Sequence, residues 1–150
     1  MAEAVRIGQA SGGAGARGAG AATAPVHKAN FQHVLMRSLH RYQAARAASL
    51  SHVNNALSTA MAAEGVPESW RTSLNFIIAR ESGGVVGVRN PVHSARGLFQ
   101  LTKANYHLNP NGAASFGNAV EEAQGGIRYI RQRYGTADNA VAFWQTHHWY

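Results

Sequence analysis

Apolar residues recur at intervals of three or four between residues 29 and 63, as Phe31, Leu35, Leu39, Tyr42, Leu50, Val53, Leu57 and Met61, with Arg37, Arg41 and Arg46 between them. That period places the apolar side chains on one stripe and predicts a long amphipathic helix, basic on its outer side. Glu64-Gly65-Val66-Pro67 ends it, with Gly65 as the terminating residue and Pro67 opening the next helix. The second helix, Pro67 to about Ser82, carries Trp70, Leu74, Ile77, Ile78 and Glu81 on one face, because these lie three or four apart. Gly83-Gly84 ends that helix, and Val85 to Arg96 reads as an irregular loop or short hairpin with a turn at Asn90-Pro91. Thr102 is placed to cap a short helix through His107, closed by Asn109-Pro110-Asn111-Gly112. Asn118 followed three residues later by Glu121 resembles a capping box, and Val120, Ala123, Ile127, Ile130 and Tyr134 carry that helix to Gly135. A last helix begins near Thr136 and bears Ala140, Val141, Phe143 and Trp144. No repeat and no clear strand is visible, so the predicted architecture is mostly α.

Residues 1–25 change this picture, being dominated by Gly and Ala with almost no large apolar side chain. Such a stretch buries too little surface to offset its ordering entropy and is expected to be a disordered tail. The expected organisation is therefore a tail over residues 1–25, an amphipathic helical segment over 26–65 and a globular domain over 66–150. Lys and Arg number 14 against 7 Asp and Glu, a net charge of +7, which favours acidic partners: nucleic acid, an anionic membrane surface or a bacterial envelope. The basic face of the first helix is the place for a weak contact with DNA or an anionic envelope. No cysteine is present, which excludes disulfides and thiolate metal sites. The N-terminal stretch lacks the continuous apolar run of a Sec signal peptide. Nor does any run approach the roughly 20 apolar residues of a membrane span. A target outside the cytoplasm would then be reached by another route.

The chemistry centres on Glu81. Burial on an apolar face disfavours the ionised carboxyl, and the partial negative charge at a helix C-terminus disfavours it again. Both raise the pKa, and a carboxyl still protonated near neutral pH is the general acid that a glycosidic leaving oxygen needs. Arg80 or Arg96 would oppose the shift if its side chain turned toward Glu81. The alternative is a helix-terminal glutamate facing solvent.

The run Glu81-Ser82-Gly83 at a helix end, then Gly97-Leu98-Phe99-Gln100, then a helix with Ile127, Tyr129 and Ile130, resembles the SLT-type lytic transglycosylases, relatives of goose-type lysozyme. The ending from Arg133-Tyr134-Gly135 through Ala142-Phe143-Trp144 to Tyr150 is similar to short phage and bacterial members, and the likeness spans residues 66–150. Two departures are visible: Ala142-Phe143-Trp144-Gln145 stands roughly where the family has Ala-Tyr-Asn-Ala-Gly, and Phe99 where it often has Met. The resemblance implies a lysozyme-like domain of reduced α+β type. It also implies that Glu81 cleaves the bond between N-acetylmuramic acid and N-acetylglucosamine and leaves a 1,6-anhydro end. In the family Ser82 would help position substrate or acid. Gln100 would hydrogen-bond the sugar, Leu98 and Phe99 would wall the acid and border the substrate, and Tyr129, Phe143, Trp144, Trp149 and Tyr150 are candidates for stacking on sugar faces, Tyr129 and Trp144 first. The alternatives are ordinary polar residues at helix ends for Ser82 and Gln100 and core packing for the apolar and aromatic residues.

Counting acids bears on the mechanism independently. After Glu81 only Glu121, Glu122 and Asp138 remain, and all three lie where a helix dipole accounts for them. A two-carboxylate glycosidase would need one of them about 5–9.5 Å from Glu81. A single-acid mechanism fits better. The rival readings are a hydrolase of the same fold and a binding or structural virion protein that keeps a sugar groove without turnover. The eight histidines include no His-x-x-x-His with an acidic companion, so no metal site is expected; nor is any cofactor, since the phosphate-binding Gly-Lys pattern is missing. A small, basic chain with a flexible tail suits a phage virion protein acting at the cell wall.

Overall fold

A computed structural model describes the backbone of residues 24–150 and the side chains of residues 30–150. Four α-helices dominate: α1 (Ala24–Glu64), α2 (Arg71–Glu81), α3 (Ala119–Tyr134) and α4 (Ala137–His147). Short 3-10 turns occupy Glu68–Trp70, Lys103–Leu108 and Gly112–Ser115. The mostly α expectation holds. Among the described residues β pairing is confined to isolated bridges of Arg96 with Arg89 and with Leu101.

The described residues divide into two units inside α1, one ending at Leu39 and the other spanning His40–Tyr150. The expected tail lies outside the described residues up to residue 23, while Ala24 and Pro25 already belong to α1. A proline is tolerated there because the first turn of a helix has no intrahelical use for its N–H. In the first unit Phe31, Val34, Leu35, Met36 and Leu39 are all exposed, so among the described residues nothing covers this part of the apolar stripe.

In the second unit Tyr42 and Leu50 are also exposed, but Val53, Ala56, Leu57, Ala60 and Met61 are buried. These join Leu74, Ile77 and Ile78 of α2 and Ala123, Ile127 and Ile130 of α3 in one core. The change of pattern at Gly65 thus ends a helix without starting the globular unit, whose core already contains the last three turns of α1. Glu64 fixes that helix end to α3, accepting hydrogen bonds from Gln124 Nε2 and Arg128 Nε, each at 3.0 Å. Both α2 and α3 pack against α4.

Local differences from expectation have local causes. The second helix opens as a 3-10 turn before α2, and Ser82 is its C-cap. Thr102 precedes its turn in extended conformation without capping it. Asn118 is the N-cap of α3, its Oδ1 accepting from the N–H groups of Val120 and Glu121, but the reciprocal half of the capping box is replaced: its own N–H donates to Ser115 O, and Glu121 Oε1 accepts from its Nδ2 at 3.1 Å. Thr136 caps α4 by accepting from Asn139 N–H.

Glu122 is the feature that dipole reasoning misplaces. It is 2% exposed, and its two carboxylate oxygens accept from Leu98 N–H at 2.8 Å and from Gly117 N–H at 2.7 Å. Gly97 must be glycine beside it, for a Cβ there would lie 2.9 Å from Glu122 Oε2 and the backbone has φ +77°. The carboxylate therefore ties the loop carrying residues 97–100 to α3. Replacing it with Gln turns one acceptor into a donor facing a backbone donor, so Glu122→Gln is expected to cost about 2 kcal/mol in urea unfolding.

Candidate active site

Glu81 is the last residue of α2, half-buried, with its Oε1 accepting a hydrogen bond from the Trp144 indole at 3.0 Å. Burial raises its pKa, and the indole N–H offsets only part of that rise. The two arginines that could have reversed the shift are engaged elsewhere. Arg80 lies over the rings of Phe76 and Trp144, at 5.2 and 5.1 Å, and Arg96 over Phe116 at 4.5 Å. Phe76 and Trp144 meet edge to face at 5.4 Å, which holds the indole of α4 against α2. Trp144→Phe removes the one N–H that favours the carboxylate and is expected to move the Glu81 pKa further upward, measurable by carbon NMR of its carboxyl.

Gly97 to Gln100 form a tight turn closed by paired backbone hydrogen bonds between Arg96 and Leu101. Gln100 sits there at φ +45°, which is uncommon for a residue with a side chain. Its Nε2 donates back to Gly97 O at 3.0 Å and to Val88 O at 3.4 Å. The amide nitrogen is thus used within the loop, and Oε1 is the atom left for a ligand. Leu98 and Phe99 are buried, with the Phe99 ring against Gly126 of α3.

Beside this turn lies a cavity of about 270 Å³, lined by Phe99, Gln100, Asn105, Tyr129, Arg133 and Tyr150 among others. Glu81 is not among its lining residues. Tyr150 lines the cavity and donates its hydroxyl hydrogen to Phe99 O; burial first, and then the negative charge of Glu81, raise its pKa. Tyr129 meets Tyr150 edge to face at 5.6 Å.

The residues expected at the site thus separate. Glu81 and Trp144 are in contact, and Phe99, Gln100 and Tyr129 share the cavity wall. Ser82 spends its hydroxyl on the helix end, donating to Ile78 O at 3.0 Å and accepting from Gly84 N–H at 3.2 Å. Trp149 and Tyr150, two of the aromatic stacking candidates, also line the cavity, and so does Arg133, which spacing alone could not have ranked above other basic residues. Glu122 could have been found, because it shares the inward positions of α3 with Ala119, Ala123 and Gly126.

The other acids are each committed to a local partner. Glu121 accepts from Ser115 Oγ at 2.6 Å and from the Asn111 amide, Glu122 from backbone N–H groups, and Asp138 from Ser73. Among the described residues no three His, Asp or Glu side chains stand where they could share a metal ion. Likewise, no described helix is long and apolar enough to cross a membrane. Compared with protein-family models, curated proteins and solved structures, the chain matches none.

Proposed function

We propose that the protein is a peptidoglycan lytic transglycosylase of lysozyme-like fold, using Glu81 as its single catalytic carboxyl. The observation that carries this reading is a half-buried carboxyl at a helix end, raised in pKa by burial, in a domain whose Gly97–Gln100 turn borders a cavity walled by aromatic and amide side chains. Its general features are those of a saccharide site, where ring faces stack and a few polar groups orient.

In the proposed reaction Glu81 gives its proton to the oxygen bridging muramic C1 and the next sugar, and the C1–O bond breaks. The carboxylate then accepts the proton of the muramic C6 hydroxyl as that oxygen bonds to C1. Glu81 ends protonated as it began, and no water is consumed. With Glu121, Glu122 and Asp138 already paired, a mechanism drawing on the substrate's own hydroxyl suits the acids present better than a second carboxylate does.

Mass spectrometry of muropeptides released from purified sacculi tests the proposal. The expected product ends are anhydro, lighter by one water than hydrolysed ends. Reducing ends would instead assign a hydrolase, and binding without release a non-catalytic wall protein. The net charge of +7 suits work at an anionic envelope, and we place the protein in a phage virion that opens the wall locally. Detection of the chain in purified particles tests that placement.

A further inference from the structure

Arg133, in the last turn of α3, is the one charged side chain lining the cavity beside Gln100. Its guanidinium carbon lies 5.9 Å from the ring centre of Tyr129, 5.5 Å from Tyr134, 6.0 Å from Phe143 and 5.3 Å from Trp149. Ring faces attract a guanidinium electrostatically without satisfying its N–H donors. Among the described residues the ion pairs are Arg71 with Glu68 and Arg128 with Glu64, and no carboxylate side chain lines this cavity. The other polar side chains of the lining residues are uncharged, among them the Thr102 hydroxyl, the Asn105 amide and Gln100.

We propose that this cavity takes a carboxylate, held by Arg133 and oriented by Asn105 and Thr102, and that the carboxylate belongs to the peptide carried on a muramyl sugar. A planar cation already gripped by rings presents its N–H edge to a planar anion at little cost in side-chain ordering. Tyr129, Trp149 and Tyr150 supply faces for the sugar ring next to it. The proposal rests on peptidoglycan being the substrate, and it assigns Arg133 to recognition of the peptide-bearing sugar, apart from bond cleavage by Glu81.

The test is binding of N-acetylmuramyl-L-alanyl-D-isoglutamine to the full chain, followed by calorimetry or NMR titration, against the same compound with its free carboxylate converted to a methyl ester. N-acetylmuramic acid forms a third arm, because its lactyl carboxylate is the other source of the same chemistry. The dipeptide is expected to bind about tenfold or more tightly than its ester, the size of one charge-assisted contact. Arg133→Gln should abolish that preference and Arg133→Lys retain part of it. Asn105→Asp places a competing carboxylate in the cavity while leaving the guanidinium among its rings. It should also abolish the preference, which keeps the test decisive if Arg133→Gln disturbs packing. Equal binding of dipeptide and ester by wild type, or a preference that survives Arg133→Gln, overturns the proposal. Tighter binding of the lactyl carboxylate than of the dipeptide overturns the assignment to the peptide. Wall cleavage without carboxylate preference would leave the catalytic reading standing alone, and Arg133-dependent preference without cleavage would leave this one.

Discussion

Glu81→Gln is expected to lower muropeptide release by about 10³-fold or more, since it removes the only group proposed to donate and then recover the proton. Its Oε1 can still accept from the Trp144 indole, so the packing of α2 against α4 is retained. Stability carries a second, independent signature. The folded-state pKa of Glu81 lies above its ordinary value of 4.5, so the native protein binds a proton more tightly than the unfolded chain does. Its contribution is therefore fully present below about pH 4.5 and declines as pH rises through the folded-state value. Near neutral pH ionisation of this carboxyl favours the unfolded wild-type chain more than the folded one, and the Gln variant has no such term. The variant should melt at the same temperature as wild type or higher near neutral pH, with any gap closing in acid. Full muropeptide release by Glu81→Gln would end the catalytic assignment, and a variant that melts below wild type at pH 7 would show that the charge is stabilising.

Gly126→Ala should damage the fold strongly. A Cβ at this position would stand 2.1 Å from Cγ of Phe99, whose ring is 1% exposed. Overpacking a closed core costs about 3 kcal/mol or more when the neighbour is a rigid ring. The effect should reach the cavity, because the Phe99 carbonyl accepts from Tyr150 and Gln100 follows directly in the chain. Urea unfolding of Gly126→Ala, Phe99→Leu and the double variant measures this. The double variant should be more stable than Gly126→Ala alone, since leucine vacates part of the ring's space, and strict additivity of the two losses would mean that the contact is not the cause.

What was legible in the sequence follows from how local each signal is. The positions of α2, α3 and α4 could be read because a 3.6-residue period, an N-cap at Asn118 and glycines at helix ends act within a few residues. The inward face of α2 was equally readable, and with it the half-burial of Glu81. The partner of that carboxyl was not, because Trp144 lies 63 residues away and nothing within its own helix distinguishes it from Phe143. Glu122 shows the opposite failure. A dipole argument sufficed to explain an acid in a first turn, and the stronger demand came from backbone N–H groups at Leu98 and Gly117 brought in by tertiary packing. The apolar stripe of α1 was uniform in sequence, yet only its last turns meet a core; periodicity states which face is apolar and is silent on whether anything lies against it.

The left-handed backbone at Gln100 has a consequence for laboratory evolution. Glycine is at ease at φ +45° and glutamine is not, so glycine winners from a library screened for heat resistance alone would mean that the backbone strain outweighs the two Nε2 hydrogen bonds within the loop. Such winners would lose the Oε1 atom at the cavity wall. Their thermal gain paired with a poorer grip on glycan would mark residue 100 as a place where ligand contact, rather than folding, dictated the amino acid.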